Sequence, residues 1–258
     1  MSKIESGILK SITLELNHVK ETRANLILLL LLPALIVTIF AFASSIAVNI
    51  PWIENAGYKT FYDYYAPGIL STIVVFIAIQ LTVLRIVAER SPYGTLDREL
   101  LAISRFNMFF GKLIANIIIN FIQVFIIFFI GLSIFGFYMI GNPMDFLLIL
   151  LITSLVGLSI GLTFSIFSKS KEQAIQLVPF TILIFIVLSG VLIPLELMPI
   201  NIRIIASNTP LALSSQSLNE ISIGGSSIFN MLDEIIKMLV WVFVFTSLGL
   251  VKFMTEKR

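Results

Sequence analysis

The side chains that could do chemistry are concentrated in one charged segment, residues 85–112, of a chain in which only 12% of the residues are charged. Its 28 residues hold eight charged side chains: Arg85, Glu89, Arg90, Asp97, Arg98, Glu99, Arg105 and Lys112. Such a segment cannot lie in hydrocarbon, because ionised side chains are costly there. The chemistry that it offers is recognition of a soluble partner at a membrane surface.

Other reactive combinations are missing from the sequence. No nucleotide-binding loop of the form G-x-x-x-x-G-K-[ST] is present, since Gly111-Lys112 precedes Leu113 and no Gly stands at the required distance before it. The chain has no Cys, and its single His18 has no partners for a metal site. The apolar stretches hold almost no ionisable residue, which disfavours an intramembrane enzyme, a proton relay and an ion-coupled carrier. We therefore expect no metal or cofactor on this chain.

The composition predicts an all-α integral membrane protein that forms a single domain over residues 1–258. Hydrophobic residues make up 58% of the chain and the mean hydropathy is +1.02, which is more apolar surface than a soluble core of this size could hide. A spanning helix needs about 20 mostly apolar residues. Six segments qualify, at 25–48, 66–84, 113–138, 146–167, 174–193 and 235–251.

The first 24 residues favour a helix that lies on the membrane rather than crossing it. Apolar residues recur there at three- or four-residue spacing, at Ile4, Ile8, Ile12, Leu16 and Val19, and most charges fall elsewhere. Lys and Arg then set the orientation. If the N-terminus is cytoplasmic, 14 of the 17 basic residues lie on the cytoplasmic side, so we expect both termini there.

Within the charged segment, Pro92 and Gly94 interrupt the second span, and Thr95 can cap a new helix whose first turn carries Asp97. This pattern predicts a short helix parallel to the membrane. A solvated amphipathic loop is the alternative that composition alone favours.

These residues carry a resemblance to a known family. The succession Glu89-Arg90, Gly94-Thr95-Leu96-Asp97, Leu100-Leu101 and Gly111-Lys112 resembles the cytoplasmic segment of ABC-2 type permeases, the membrane subunits of ATP-driven exporters. Residues 168–174, followed by Pro179, are similar to the second cytoplasmic turn of that family. After the fifth span the chain keeps the family's order of short motifs: Ser189-Gly190, Pro194, Met198-Pro199 and Thr209-Pro210-Leu211.

The resemblance implies an architecture and a set of partners. It implies a coupling helix between spans 2 and 3, re-entrant half-helices in the outer segment 191–234, and a plasma-membrane location. The implied partners are two ATP-binding subunits, which hold ATP and Mg, a second permease copy in a homodimer, and membrane lipids; no nucleic acid is implied. The coupling residues that it implies are Glu89, Arg90, Gly94, Thr95, Leu96, Asp97, Leu100, Lys171 and Glu172.

Polar residues inside the spans are candidates for a translocation path. Lys112, Asn116, Asn120 and Gln123 share one face of the third span, because spacings of four, four and three return to the same side of a helix. They either line the path or bond to neighbouring helices. The other candidates for the path or its outer gate are Phe40, Ser189, Gly190, Pro194 and Pro199.

Two functions remain open at this point. The main hypothesis is a permease that exports a hydrophobic or amphipathic substrate using ATP hydrolysis on a separate subunit. The alternative is a membrane scaffold or regulatory subunit that transports nothing. A partner ATPase that co-purifies with the chain would separate the two.

Overall fold

The structure is a computed structural model that describes residues 3–21, 31, 35, 38–39, 61–90, 103–133, 139–168, 170–191 and 195–255. Most of the predicted first span, with Phe40, lies outside the described residues. So do residues 91–102 of the charged segment, with Gly94, Thr95, Leu96, Asp97 and Leu100, and so does Pro194.

The described residues form helices and no strands. We number the α-helices in chain order as α1 Lys3–Glu21, α2 Phe61–Arg90, α3 Arg105–Ser133, α4 Pro143–Phe167, α5 Lys171–Leu188, α6 Ile200–Ala206, α7 Pro210–Ser222 and α8 Leu232–Thr255. Two short 3₁₀ turns, Leu195–Leu197 and Ile228–Met231, precede α6 and α8.

Three helices begin with a side-chain cap that the sequence supplies. Asn142 accepts a hydrogen bond from the Met144 backbone at α4, and Ser170 accepts one from Gln173 at α5. Thr209 does the same for Ala212 at α7. A proline follows the cap of α4 and of α7 directly, where its missing N–H costs nothing.

Four helices of the described chain are long and apolar enough to cross a membrane: 65–87 in α2, 105–132 in α3, 143–167 in α4, and 228–255, which includes α8. α5 is apolar but shorter, and α7, with 13 residues, is about 20 Å long against the roughly 30 Å of a hydrocarbon core. The third span was predicted to begin at residue 113, but its helix begins at Arg105. The helix therefore includes the polar residues that precede the apolar run.

α4 is the centre of the molecule and α2 packs along it. Gly157 and Gly161 allow this close approach: a Cβ atom at Gly157 would lie 2.8 Å from the Ala78 Cβ, and one at Gly161 would lie 2.8 Å from the Ile79 carbonyl oxygen. α8 packs on another side of α4 and keeps a broad exposed apolar face. α7 is buried among α2, α4 and α8.

Candidate functional site

A cluster of charged side chains lies where α1, α2 and α3 meet. It consists of Glu15 on α1, Arg85 and Glu89 on α2, and Lys112 and Asn116 on α3, and we refer to these five residues as the charge network. All five side chains are buried or nearly so, with exposed fractions of 15% or less for the four charged ones. With both acids ionised, two acids and two bases make the network electrically neutral.

Lys112 is the central residue of the charge network. Its ammonium donates to the Glu15 carboxylate and, at 2.5 Å, to Oε2 of Glu89. The Arg85 guanidinium donates to Oε2 of Glu15 at 2.8 Å and to Oδ1 of Asn116 at 2.9 Å. Lys112 thus joins α3 to both other helices, and Arg85 joins α2 to both others.

Helix periodicity places these side chains. Arg85 and Glu89 are four residues apart on α2, and Lys112 and Asn116 are four apart on α3, so each pair projects from one face of its helix. Asn116 also donates to the Lys112 carbonyl oxygen at 2.9 Å, which fixes its amide towards Arg85.

α1 reaches the charge network through small residues. Ser11 lies one turn before Glu15 and is 2% exposed. A Cβ atom at Gly111 would lie 2.5 Å from the Ser11 hydroxyl oxygen, so only glycine permits this approach of α1 to α3. The Ser11 hydroxyl donates to the Met108 carbonyl oxygen at 3.5 Å.

The two carboxyl groups of the network, both outside the spanning segments, differ in their affinity for protons. Burial acts to raise the pKa of Glu15, but the neighbouring Lys112 and Arg85 outweigh it and the pKa is lowered. Burial raises the pKa of Glu89 to about 8, because the attraction of Lys112 does not compensate for it and the charge of Glu15 adds to it. Glu15 is therefore the ionised partner, and Glu89 is the group that can take a proton near neutral pH.

The polar face of the third helix points into the protein. Lys112, Asn116, Asn120 and Gln123 are each between 2% and 4% exposed. The first two belong to the charge network, and the other two extend the polar face deeper along α3 towards the bundle interior. Arg85 of α2 contacts this face through Asn116 and also contacts Glu15.

The other coupling residues lie at two helix ends. Arg90 is the last residue of α2, one position after Glu89. Lys171 and Glu172 form the first turn of α5, and the Glu172 side chain is exposed. An acidic residue in this position suits the positive end of the helix dipole.

The outer-gate candidates surround the end of α5. The Ser189 hydroxyl donates to the Ile186 carbonyl oxygen at 2.8 Å, and Gly190 has a φ of 79°, which favours glycine. Pro199 precedes α6 directly. A cavity of about 30 Å³ opens beside the turn, lined by Tyr65, Gly68, Gly190, Val191, Ser215 and Asn219.

A second, larger cavity lies between α2 and α5. It measures about 180 Å³ and is lined mainly by apolar side chains: Phe76, Gln80, Val83, Leu84, Val178 and Pro179. The side-chain oxygen of Gln80 is buried and has no hydrogen-bond partner among the described residues. Sequence reasoning missed this cavity, since no spacing within one helix signals a space between two.

Within the described residues no group of His, Asp and Glu side chains is arranged to hold a metal ion. Compared with known families, residues 16–221 match the family model described as ABC-2 type transporter. No curated protein matches the chain. The matched range covers most of the chain and every residue of the charge network except Glu15.

Proposed function

The chain belongs to the family of ABC-2 type transporters, and on this premise we propose that it is the permease subunit of an exporter for a hydrophobic or amphipathic substrate. Members of this family are membrane components without an ATPase site of their own and generally work with an ATP-binding subunit. ATP and Mg would then be bound by that partner, in two copies, and this chain would form the path.

We propose the finer architecture on the same basis. The protein lies in the plasma membrane and crosses it six times. Both termini face the cytoplasm, and a coupling helix connects spans 2 and 3. The placement of 14 of the 17 basic residues supports this orientation. α7 supports the re-entrant outer segment, because it is buried among the spans yet too short to cross a bilayer.

The contact between Glu89 and Lys112 carries the proposal. These residues stand on either side of residues 90–111, which include the coupling motif Gly94-Thr95-Leu96-Asp97, and their side chains meet at 2.5 Å. A force applied to the motif by an ATPase subunit would therefore act on α2 and α3 together rather than on a loose connection. Two long helices packed on the central α4 are suited to carry that movement across the membrane.

The cavity between α2 and α5 supports an apolar substrate. Its walls are largely hydrocarbon, and the unpaired amide oxygen of Gln80 offers one hydrogen-bond acceptor. A binding site of this kind suits a molecule with a large apolar part and a few polar groups.

We propose that the functional unit is a C2 homodimer, since such dimers are the commonest oligomers. α5 supports this arrangement. It keeps an apolar face exposed that includes Phe180, Leu183, Ile184 and Val187. The dimer would place these residues against the second copy.

Co-purification of an ATPase subunit tests the proposed function. We expect the unaltered chain to bring down a P-loop ATPase from native membranes, and we expect Asp97→Lys and Thr95→Pro to lose it while still inserting into the membrane. Asp233→Lys is the matched control, because Asp233 is an exposed acid at the start of α8, far along the chain from the motif. Normal ATPase recovery with both coupling variants would contradict the proposal and favour a scaffold without cargo.

A further inference from the structure

α1 is attached to the protein by its polar face. Ser11 and Glu15 are both 2% exposed, and Gly7 lies one further turn back on the same face. By contrast the apolar residues Ile8, Ile12 and Leu16 are only half-buried, and Leu9 is exposed. The most buried side chains of α1 are therefore small or polar, and they dock the helix onto α3.

Glu15 connects α1 to the two helices that precede and follow the coupling motif. Its two carboxylate oxygens accept from cations on different helices, Arg85 on α2 and Lys112 on α3. Arg85 lies before the motif in the chain and Lys112 lies after it. One side chain of α1 thus sits between the two helix ends that the motif connects.

The same contacts oppose separation of α1 from α3. Separating α1 from α3 would leave the Glu15 carboxylate without Lys112 in a site with little access to water, and buried charges without partners are strongly unfavourable. It would also open the close packing of Ser11 against Gly111. The low-energy movement is therefore one in which the three helix ends shift together.

Resting on the proposed function, we propose that Glu15 is a positioning residue for energy coupling: it makes α1 a third member of the unit formed by the α2 and α3 ends, and that unit stays closed throughout the transport cycle. The family match begins at residue 16, so the role of Glu15 is argued from its contacts with Arg85 and Lys112 and not from a family motif.

A disulfide can test whether the unit stays closed, because the chain has no Cys of its own. A Cβ atom at Gly7 would lie 3.4 Å from the Asn107 Cβ, near the usual range of about 3.5–4.5 Å for a disulfide. The Asn107 amide, which crowds that position, is removed in Gly7→Cys/Asn107→Cys. We expect this pair to crosslink in the resting protein and the control pair Leu9→Cys/Asn107→Cys not to, since Leu9 is exposed.

The crosslinked complex with its ATPase subunit is then supplied with Mg-ATP as the probe. We expect the same rate of ATP hydrolysis, and the same stimulation of that rate by the permease, before and after addition of reductant. Hydrolysis that stops on oxidation and returns on reduction would show that α1 must separate from α3, and would overturn the proposal.

Glu15→Gln tests the role of the side chain itself. We expect it to lower the permease-dependent stimulation of ATP hydrolysis by about tenfold, within the range usual for coupling between sites. The amount of ATPase that co-purifies and the yield of inserted protein should stay unchanged. Lys10→Gln on the same helix is the control, because Lys10 is exposed and outside the charge network.

A rescue separates coupling from folding. When Glu15→Gln is combined with Gly7→Cys/Asn107→Cys, the disulfide formed on oxidation replaces the lost tie between α1 and α3. We expect stimulation to return on oxidation and to vanish on reduction. Stimulation that stays low with the disulfide in place would overturn the positioning role. If no ATPase binds the unaltered chain, the proposed function fails, whereas absence of the resting crosslink contradicts only the placement of α1.

Discussion

At the scale of single residues, the buried Lys112 connects three helices. The Lys112 side chain is 5% exposed and contacts carboxylates from α1 and α2. A buried ion pair adds little net stability compared with apolar residues, but removal of one partner leaves an uncompensated charge. The stability of this region therefore depends on the balance of the charge network rather than on any one of its contacts.

Lys112→Met tests this balance. At about pH 9, where Glu89 is ionised, we expect a loss of about 3–5 kcal/mol in the free energy of unfolding, since Glu89 loses its cation and Glu15 loses one of two. Thermal unfolding in detergent measures it. Addition of Glu89→Gln should recover part of the loss, because the Arg85 and Glu15 pair that remains is neutral. Lys237→Met, at an exposed ion pair with Asp233, should have no measurable effect, and an equal loss in both lysine variants would contradict the prediction.

Loss of the Glu89 proton makes the folded protein less stable as the pH rises. Burial raises its pKa from 4.5 to about 8, so the folded protein binds this proton more tightly than the unfolded chain does. The stabilisation is complete below pH 4.5 and is lost as the pH rises towards 8. We expect the melting temperature of the unaltered protein, measured relative to Glu89→Gln, to fall across this window. A relative melting temperature that stays level or rises would contradict the raised pKa.

At the scale of elements, two glycines of α4 determine how closely α2 packs against it. Gly157 and Gly161 lie one turn apart and face α2, where neighbouring backbone atoms leave no room for a side chain. Thr153, one turn earlier, forms a hydrogen bond of 2.6 Å with Ser214 of α7. One face of α4 therefore sets the distance to α2 and also holds the short α7 in place.

Gly157→Val should separate α2 from α4. A Cβ atom there would lie 2.9 Å from the Val75 carbonyl oxygen, which cannot move without its helix. We expect a loss of about 1–3 kcal/mol, the usual cost of overpacking, measured by thermal unfolding in detergent. Leu148→Val, at an exposed position of the same helix, is the control. Equal stability of the two variants would contradict the close approach of the helices.

For the whole molecule, the absence of Cys makes its orientation directly measurable. Ser170 is exposed before α5, and Ser227 is exposed before α8. If the proposed orientation holds, a membrane-impermeant maleimide should label Ser227→Cys in intact cells and label Ser170→Cys only after the membrane is opened. The reverse pattern would place the coupling motif outside and would contradict the proposed topology.

Sequence reasoning succeeds where one helix decides the outcome. The four residues of the α3 polar face share one side because helical geometry alone puts them there. The partners of this face depend on docking between helices. Glu15 looked like a surface charge on an amphipathic helix, and no periodicity within α1 could show that Arg85 and Lys112 face it.

The charge network also imposes an order on biosynthesis. Glu15 emerges from the ribosome 70 residues before Arg85 and 97 residues before Lys112. Until both have been synthesised, Glu15 lacks at least one of its two cations in the charge network. Docking can finish only when the third helix has been inserted, so a nascent chain arrested before Lys112 is translated should leave α1 open to added protease.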